Sequence, residues 1–212
     1  MSEWDWHTNE NDEVYVNRGD GSGFRRPTLM EQTPSVAATI KRVEQWSELA
    51  KKIGLPNGCP LHWTLGVIYA ESGGDPNAVS NVGALGLMQV MPETAKGLGY
   101  TPESMKHPPS NIGAGTSLLG DFREQKFDLP ASLSMYNAGP SVKGGPKESS
   151  SSPWGYVENV GYIERATAAA NYFRRKELAG SSGSSSGAHT AQSSVVPLLV
   201  AGGLIYLGMR NA

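Results

Sequence analysis

The stretch that most constrains this chain is the apolar run Leu61 to Ala70, LHWTLGVIYA, and the acid that closes it, Glu71. The run reads as a helix. Gly73 and Gly74 follow at once, so the helix is expected to stop there and leave the Glu71 carboxylate at its rim, facing a cleft. Eighteen residues further on lies Gln89, inside a second apolar segment, GLMQV. A carboxylic acid held against apolar surface has its pKa raised, because desolvation disfavours the charged form. That is the property a general acid needs to protonate a leaving oxygen near neutral pH. The bland alternative is a solvated glutamate at a helix end.

Other helices are expected around this one. Val36, Ile40, Val43, Ala50 and Ile53 recur at helical spacing with charged residues between them, predicting one amphipathic helix ended by Gly54 and Pro56. Residues 73–84 read as a loop around the cleft, with turn formers at Asp75-Pro76-Asn77 and Ser80-Asn81. Leu85 to Val90 is taken as a strand of a small sheet, leading into a short helix from Pro92. Asn111 is expected to cap a helix running to about Phe122; its glycines 113, 115 and 120 imply tight packing against a neighbour. Leu129 to Asn137 reads as a short helix with Leu133 and Tyr136 on one face, and residues 139–153 as a glycine- and serine-rich loop. A last long helix is predicted from Tyr156 or Val157 to about Leu178, burying Val160, Ile163, Thr167, Ala170 and Phe173. Five or more helices with little strand make an α-dominated (α+β) domain.

Four motifs occur in order: Glu71-Ser72, then Gly86-Leu87-Met88-Gln89-Val90-Met91-Pro92, then Tyr136-Asn137-Ala138-Gly139, then Tyr156-Val157-Glu158-Asn159-Val160. Together they resemble the soluble lytic transglycosylase family, relatives of goose-type lysozyme, over about residues 35–179. The resemblance implies a lysozyme-like fold and cleavage of the peptidoglycan glycan strand between N-acetylmuramic acid and N-acetylglucosamine. It implies Glu71 as the catalytic acid and then base, since an ordinary glycosidase needs two carboxylates and only one is well placed here. Asp75, the nearest other acid, is explained by an Asx-turn before Pro76. Substrate-binding roles fall on Ser72, Met88, Gln89, Tyr136 and Asn137: Gln89 as a cleft-wall donor, Tyr136 with its hydroxyl toward the acid or the acetamido group, Met88 as apolar lining. For Gln89 the alternative is an amide tying two loops together, and for Tyr136 a plain core tyrosine. The family commonly has alanines before its YNAG motif, where this chain has Leu133-Ser134-Met135.

Composition narrows the remaining choices. The 212 residues allow one ordinary domain with appendages, and a formal net charge of -2 without a basic block argues against nucleic acid as partner. One cysteine, Cys59, excludes an intrachain disulfide, and four scattered histidines show no ligand spacing, so neither metal nor cofactor is expected. Residues 1–34, with seven acids, three arginines and dispersed glycines, read as an acidic flexible arm. Its Trp4 and Trp6 either dock a virion or envelope partner or pack back on the domain. The front lacks the basic start and apolar core of a secretory signal. After a domain over 35–179, residues 180–194 read as a serine-glycine linker. Residues 195–209, VVPLLVAGGLIYLGM, then read as a transmembrane or membrane-anchoring helix, with 210–212 as a tail. Fifteen residues rise about 22 Å as a helix, short of a hydrocarbon core of about 30 Å, so the span is marginal. These features resemble the wall-opening enzymes of membrane-containing bacterial viruses. The setting expected is a virion's internal membrane, with action in the host periplasm during genome entry; bacterial secretion or conjugation machinery is the alternative. A lysozyme-type hydrolase and a non-catalytic wall-binding structural protein are the competing functions.

Overall fold

The computed structural model describes residues 5–29, 33–138 and 157–182. Its centre is α3 (Leu61–Glu71), in which seven consecutive residues, His62 to Ile68, are buried. A helix apolar all round has no face for water and must be wrapped by others. It lies chiefly along α7 (Val157–Ser182), and against α1 (Pro34–Glu44), α2 (Ser47–Gly54) and α5 (Pro108–Glu124). Gly66 permits the close approach to α7: a Cβ there would stand 2.7 Å from the Ala166 carbonyl oxygen and 2.9 Å from the Ala170 Cβ. The five residues expected to form the buried line of α7 are all buried. Between α3 and α5 come α4 (Pro92–Gly97) and a 3-10 helix (Pro102–Lys106); α6 (Leu129–Ala138) follows α5.

Four expectations need correction. The first helix is two, because Trp46 turns the chain: its indole Nε1 donates to the Gly74 carbonyl at 3.0 Å, pinning the end of α1 to the loop after α3. Leu85 to Val90 is no strand. Gly83, Gly86 and Gln89 all take positive φ and keep the chain turning, which leaves only isolated bridges from Leu85 to Val79 and Val90. Asn111 is not a cap. Pro108 and Pro109, which lack the N–H that a first turn leaves unpaired, start α5 earlier and carry Asn111 into the interior.

The fourth correction is the N-terminal arm, which is folded over residues 5–25. Strands β1 (Asp5–Thr8), β2 (Val14–Asn17) and β3 (Phe24–Arg25) form an antiparallel sheet in that order. Trp6 pairs with Val16, and alternation puts Trp6, Val14 and Val16 on one buried face. Asn171 of α7 stitches this face down. Its side chain accepts from the Val14 N–H at 2.8 Å and donates to the Val14 and Pro27 carbonyls at 2.9 and 3.2 Å. Trp6 therefore packs back on the domain, and Trp4 lies outside the described residues. The same is true of residues 139–156, which include the loop expected over 139–153, of the end of the expected linker and of the apolar segment 195–209. Among the described residues no helix is long and apolar enough to cross a membrane.

Candidate active site

Glu71 is the last residue of α3. Gly73 and Gly74 take positive φ and turn the chain away, with a Gly74 Cβ position only 2.8 Å from the Arg42 backbone, so a side chain there has no room. Burial pushes the Glu71 carboxyl up to about 7, against opposing pulls from the Tyr162 hydroxyl and the Arg165 guanidinium. At neutral pH the acid is thus poised between its proton-donating and proton-accepting forms. Among the described residues no second carboxyl acts on it. Asp75 is exposed, and its Oδ1 accepts the Asn77 N–H at 2.9 Å, the Asx-turn that its sequence implies.

The GLMQ segment is fixed from beneath by Asn111. Its side chain accepts the Met88 N–H at 2.8 Å and donates to the Leu85 and Met105 carbonyls at 2.8 and 3.0 Å. Gly86 makes this possible, since a Cβ there would meet the Met105 oxygen at 2.5 Å. Ser72 joins this segment to α3, its hydroxyl donating to the Leu87 carbonyl at 2.8 Å. Tyr136 brings in α6, its hydroxyl donating to the Met88 carbonyl at 2.8 Å, while its ring sits near enough to Glu71 for that carboxyl to raise its pKa further after burial.

The structure thus gathers Glu71, Ser72, Met88, Gln89 and Tyr136 into one region, with roles that differ from those expected. Met88 is fully buried, packed where a Gly115 Cβ would touch its sulfur at 2.5 Å, so it belongs to the core and lines no surface. Gln89 is the amide that ties loops: its Nε2 donates to the carbonyls of Ala78 and Gly86 at 3.1 and 2.9 Å, so both amide hydrogens are engaged and only its oxygen is left for a ligand. Tyr136 points its proton at the backbone. Asn137 is exposed at the end of α6.

Two groups escaped the sequence reading. Tyr162 of α7 is 4% exposed, and its hydroxyl lies against Glu71 within reach to lower that carboxyl's pKa, yet short of standard hydrogen-bond geometry. No motif marks it, because its position depends on how closely α7 lies on α3. His62, at the other end of α3, is 3% exposed between two carboxylates. Its Nε2 is 3.0 Å from Asp12 and its Nδ1 3.2 Å from Glu177, the second contact being the less well aligned. Its partners come from near both termini, so no local spacing could reveal them. A polar cavity of about 470 Å³, bounded by Asn57, Ser117, Asp121, Arg123, Glu124 and Lys126 among others, opens on the loop before α3 and includes none of the residues around Glu71. Its charges are mixed and exposed, and it has no part in the chemistry argued here.

A helical domain with one desolvated carboxyl at the end of its central helix is the class these observations define. The chain belongs to the Transglycosylase SLT domain family, whose sequence model matches residues 48–153. It is 36% identical over 119 residues to a transglycosylase of Enterobacteria phage PRD1, a match covering 56% of this chain and 44% of that protein. It is 33% identical over 105 residues to the endo-type membrane-bound lytic murein transglycosylase A of Salmonella paratyphi B, covering 45% and 49%. The chain thus spans about half the length of these curated relatives. The 70 kDa soluble lytic transglycosylase of Escherichia coli superposes with a TM-score of 0.52 at 25% identity, covering 62% of this chain and 24% of that one.

Proposed function

We propose that this protein is a peptidoglycan lytic transglycosylase that cleaves the bond from N-acetylmuramic acid to N-acetylglucosamine and leaves a 1,6-anhydro ring. The observation that carries the reading is the desolvated Glu71, with a carboxyl pushed up to about 7 and, among the described residues, no second acid acting on it. An enzyme with one carboxyl must use it twice. Protonated Glu71 gives its proton to the glycosidic oxygen as that bond breaks, and the substrate's own N-acetyl oxygen supports the cation left at the sugar carbon. The resulting carboxylate then takes the proton of the C6 hydroxyl as that oxygen closes on the same carbon, so no water is consumed. The phage relative is a transglycosylase and the Salmonella relative a lytic murein transglycosylase, which supports this reaction.

The setting we propose is local wall opening by a bacterial virus, supported by the similarity to the phage PRD1 protein. The apolar sequence 195–209 is the proposed membrane tether. Purified peptidoglycan incubated with the full chain should release fragments ending in 1,6-anhydro-muramic acid, one water lighter than hydrolytic ends. Reducing muramic ends would instead indicate a hydrolase. For the tether, the full chain should partition into detergent and a chain ended after Ser182 should not; equal partitioning removes that part of the proposal.

A further inference from the structure

We propose that Tyr162 is a positioning residue for Glu71: its hydroxyl hydrogen-bonds the carboxylate formed by the first proton transfer and holds it aimed for the second. The inference rests on the transglycosylase reading above and deepens it.

Three observations converge on Tyr162. It is buried in the seam between α3 and α7, only 4% exposed, where the Gly66 contact brings the two helices together. Its hydroxyl makes no hydrogen bond of standard geometry, although a buried hydroxyl without a partner is a costly group to keep. Among the described residues, Tyr136 is also near the acid but cannot serve, because its hydroxyl already donates to the Met88 carbonyl at 2.8 Å. Tyr162 therefore has an unassigned proton, and the group it faces is Glu71. A neutral carboxyl is a weak acceptor, whereas a carboxylate is a strong one.

The proton count follows from this. As Glu71 transfers its proton to the glycosidic oxygen, the leaving sugar keeps the electron pair of the broken bond. Tyr162 shares its O–H with the new carboxylate without giving the proton away, since burial and the neighbouring Glu71 hold its phenol well above its ordinary value. When the carboxylate takes the C6 hydroxyl proton and the new C–O bond closes, Glu71 is neutral again and the Tyr162 contact relaxes. Arg165, one turn further along α7, favours the same anion but is exposed, where solvent weakens its field.

The test is Tyr162→Phe in the full chain, assayed on purified peptidoglycan across a range of pH, with Glu71→Gln alongside. The phenyl ring fills the same space and removes only the donor. Expected are a fall in kcat of roughly tenfold with KM little changed, and a Tm equal to or above that of the wild type. Activity declines at alkaline pH as Glu71 loses its proton. Without a donor favouring the carboxylate, that limb should move to higher pH. A fluorinated tyrosine at position 162, a stronger donor of nearly the same shape, should move it the other way, and this keeps the test decisive if Tyr162→Phe folds poorly. Unchanged kcat with both limbs in place, while Glu71→Gln is inactive, overturns the role of Tyr162 alone. An active Glu71→Gln overturns the reading of the site itself.

Discussion

The two ends of α3 each desolvate an ionisable side chain, and they treat it in opposite ways. At the start, His62 has carboxylates near both ring nitrogens. Burial, the largest influence, works against its proton, but Asp12 and Glu177 outweigh burial and the imidazole pKa is raised. At the far end Glu71 is also desolvated, yet among the described residues no salt bridge compensates it, and its carboxyl rises to about 7. The first arrangement satisfies a charge, so it ties elements together: Asp12 belongs to the turn between β1 and β2, and Glu177 to α7. The second leaves a charge unsatisfied, so it stores reactivity. A buried ionisable group with its partners in place is a structural joint; one without them is a candidate for chemistry.

The largest effect that separates the two ends is expected from Glu71→Gln. Activity on purified peptidoglycan should fall by about 100-fold to 10,000-fold. Removing the desolvated acid relieves at most about 3 kcal/mol at neutral pH, the linkage cost of a carboxyl raised from 4.5 to about 7, and Tm should rise. The sign follows from linkage: with its folded pKa raised above the ordinary 4.5, Glu71 costs stability progressively as pH rises from there through about 7. Glu71→Gln should flatten that part of the Tm–pH curve.

Between the two ends, Gly66→Val should force α3 away from the Ala166 carbonyl and cost about 1–3 kcal/mol in denaturant unfolding. Because the same seam positions Glu71 against Tyr162, its activity at a temperature where the protein is fully folded should drop as well. Activity equal to wild type would mean that the seam does not position the acid.

His62→Gln should cost stability and leave activity per folded molecule unchanged. Its partners are about one-third exposed, so solvent screening holds the loss to about 1–2 kcal/mol at mildly acid pH. A raised histidine pKa gives stability that is complete below its ordinary 6.5 and is lost as pH rises through the folded value. The Tm gap between wild type and His62→Gln should therefore close on the alkaline side. The nearby charges also include Arg123, which acts on Asp12, and Arg174, 3.9 Å from Glu177, so the midpoint belongs to the cluster as a whole. The smallest effect is expected from Asp75→Asn: the amide can keep the Asx-turn, stability should stay within about 0.5 kcal/mol, and activity should be close to wild type.

What the sequence disclosed divides along the same line. Glu71 and the glycines after it were legible because acid, apolar run and helix stop are adjacent in the chain. The apolar run of α3 and the periodic faces of α6 and α7 were legible for the same local reason. What escaped depends on residues far apart: Asn111 holding the GLMQ loop, Asn171 holding β2, His62 between Asp12 and Glu177, and Tyr162 across from Glu71. The N-terminal strands escaped because their alternation is only four residues long in each of β1 and β2 and is diluted by acids and glycines. Met88 and Gln89 lay in a correctly recognised motif, but a motif does not say which of its side chains turn inward. That was decided by Gly115 and by the Ala78 and Gly86 carbonyls.

The most direct test is to titrate both ends of α3 in one sample by NMR. The Glu71 carboxyl carbon would be followed in protein carrying 13C-labelled glutamate and assigned by its loss in Glu71→Gln, with the His62 ring followed in parallel. A Glu71 midpoint near 7 is expected, together with a His62 midpoint above its ordinary 6.5. A Glu71 midpoint at the ordinary carboxylate value would mean that the acid is ionised at neutral pH and has no proton to give, which contradicts the account.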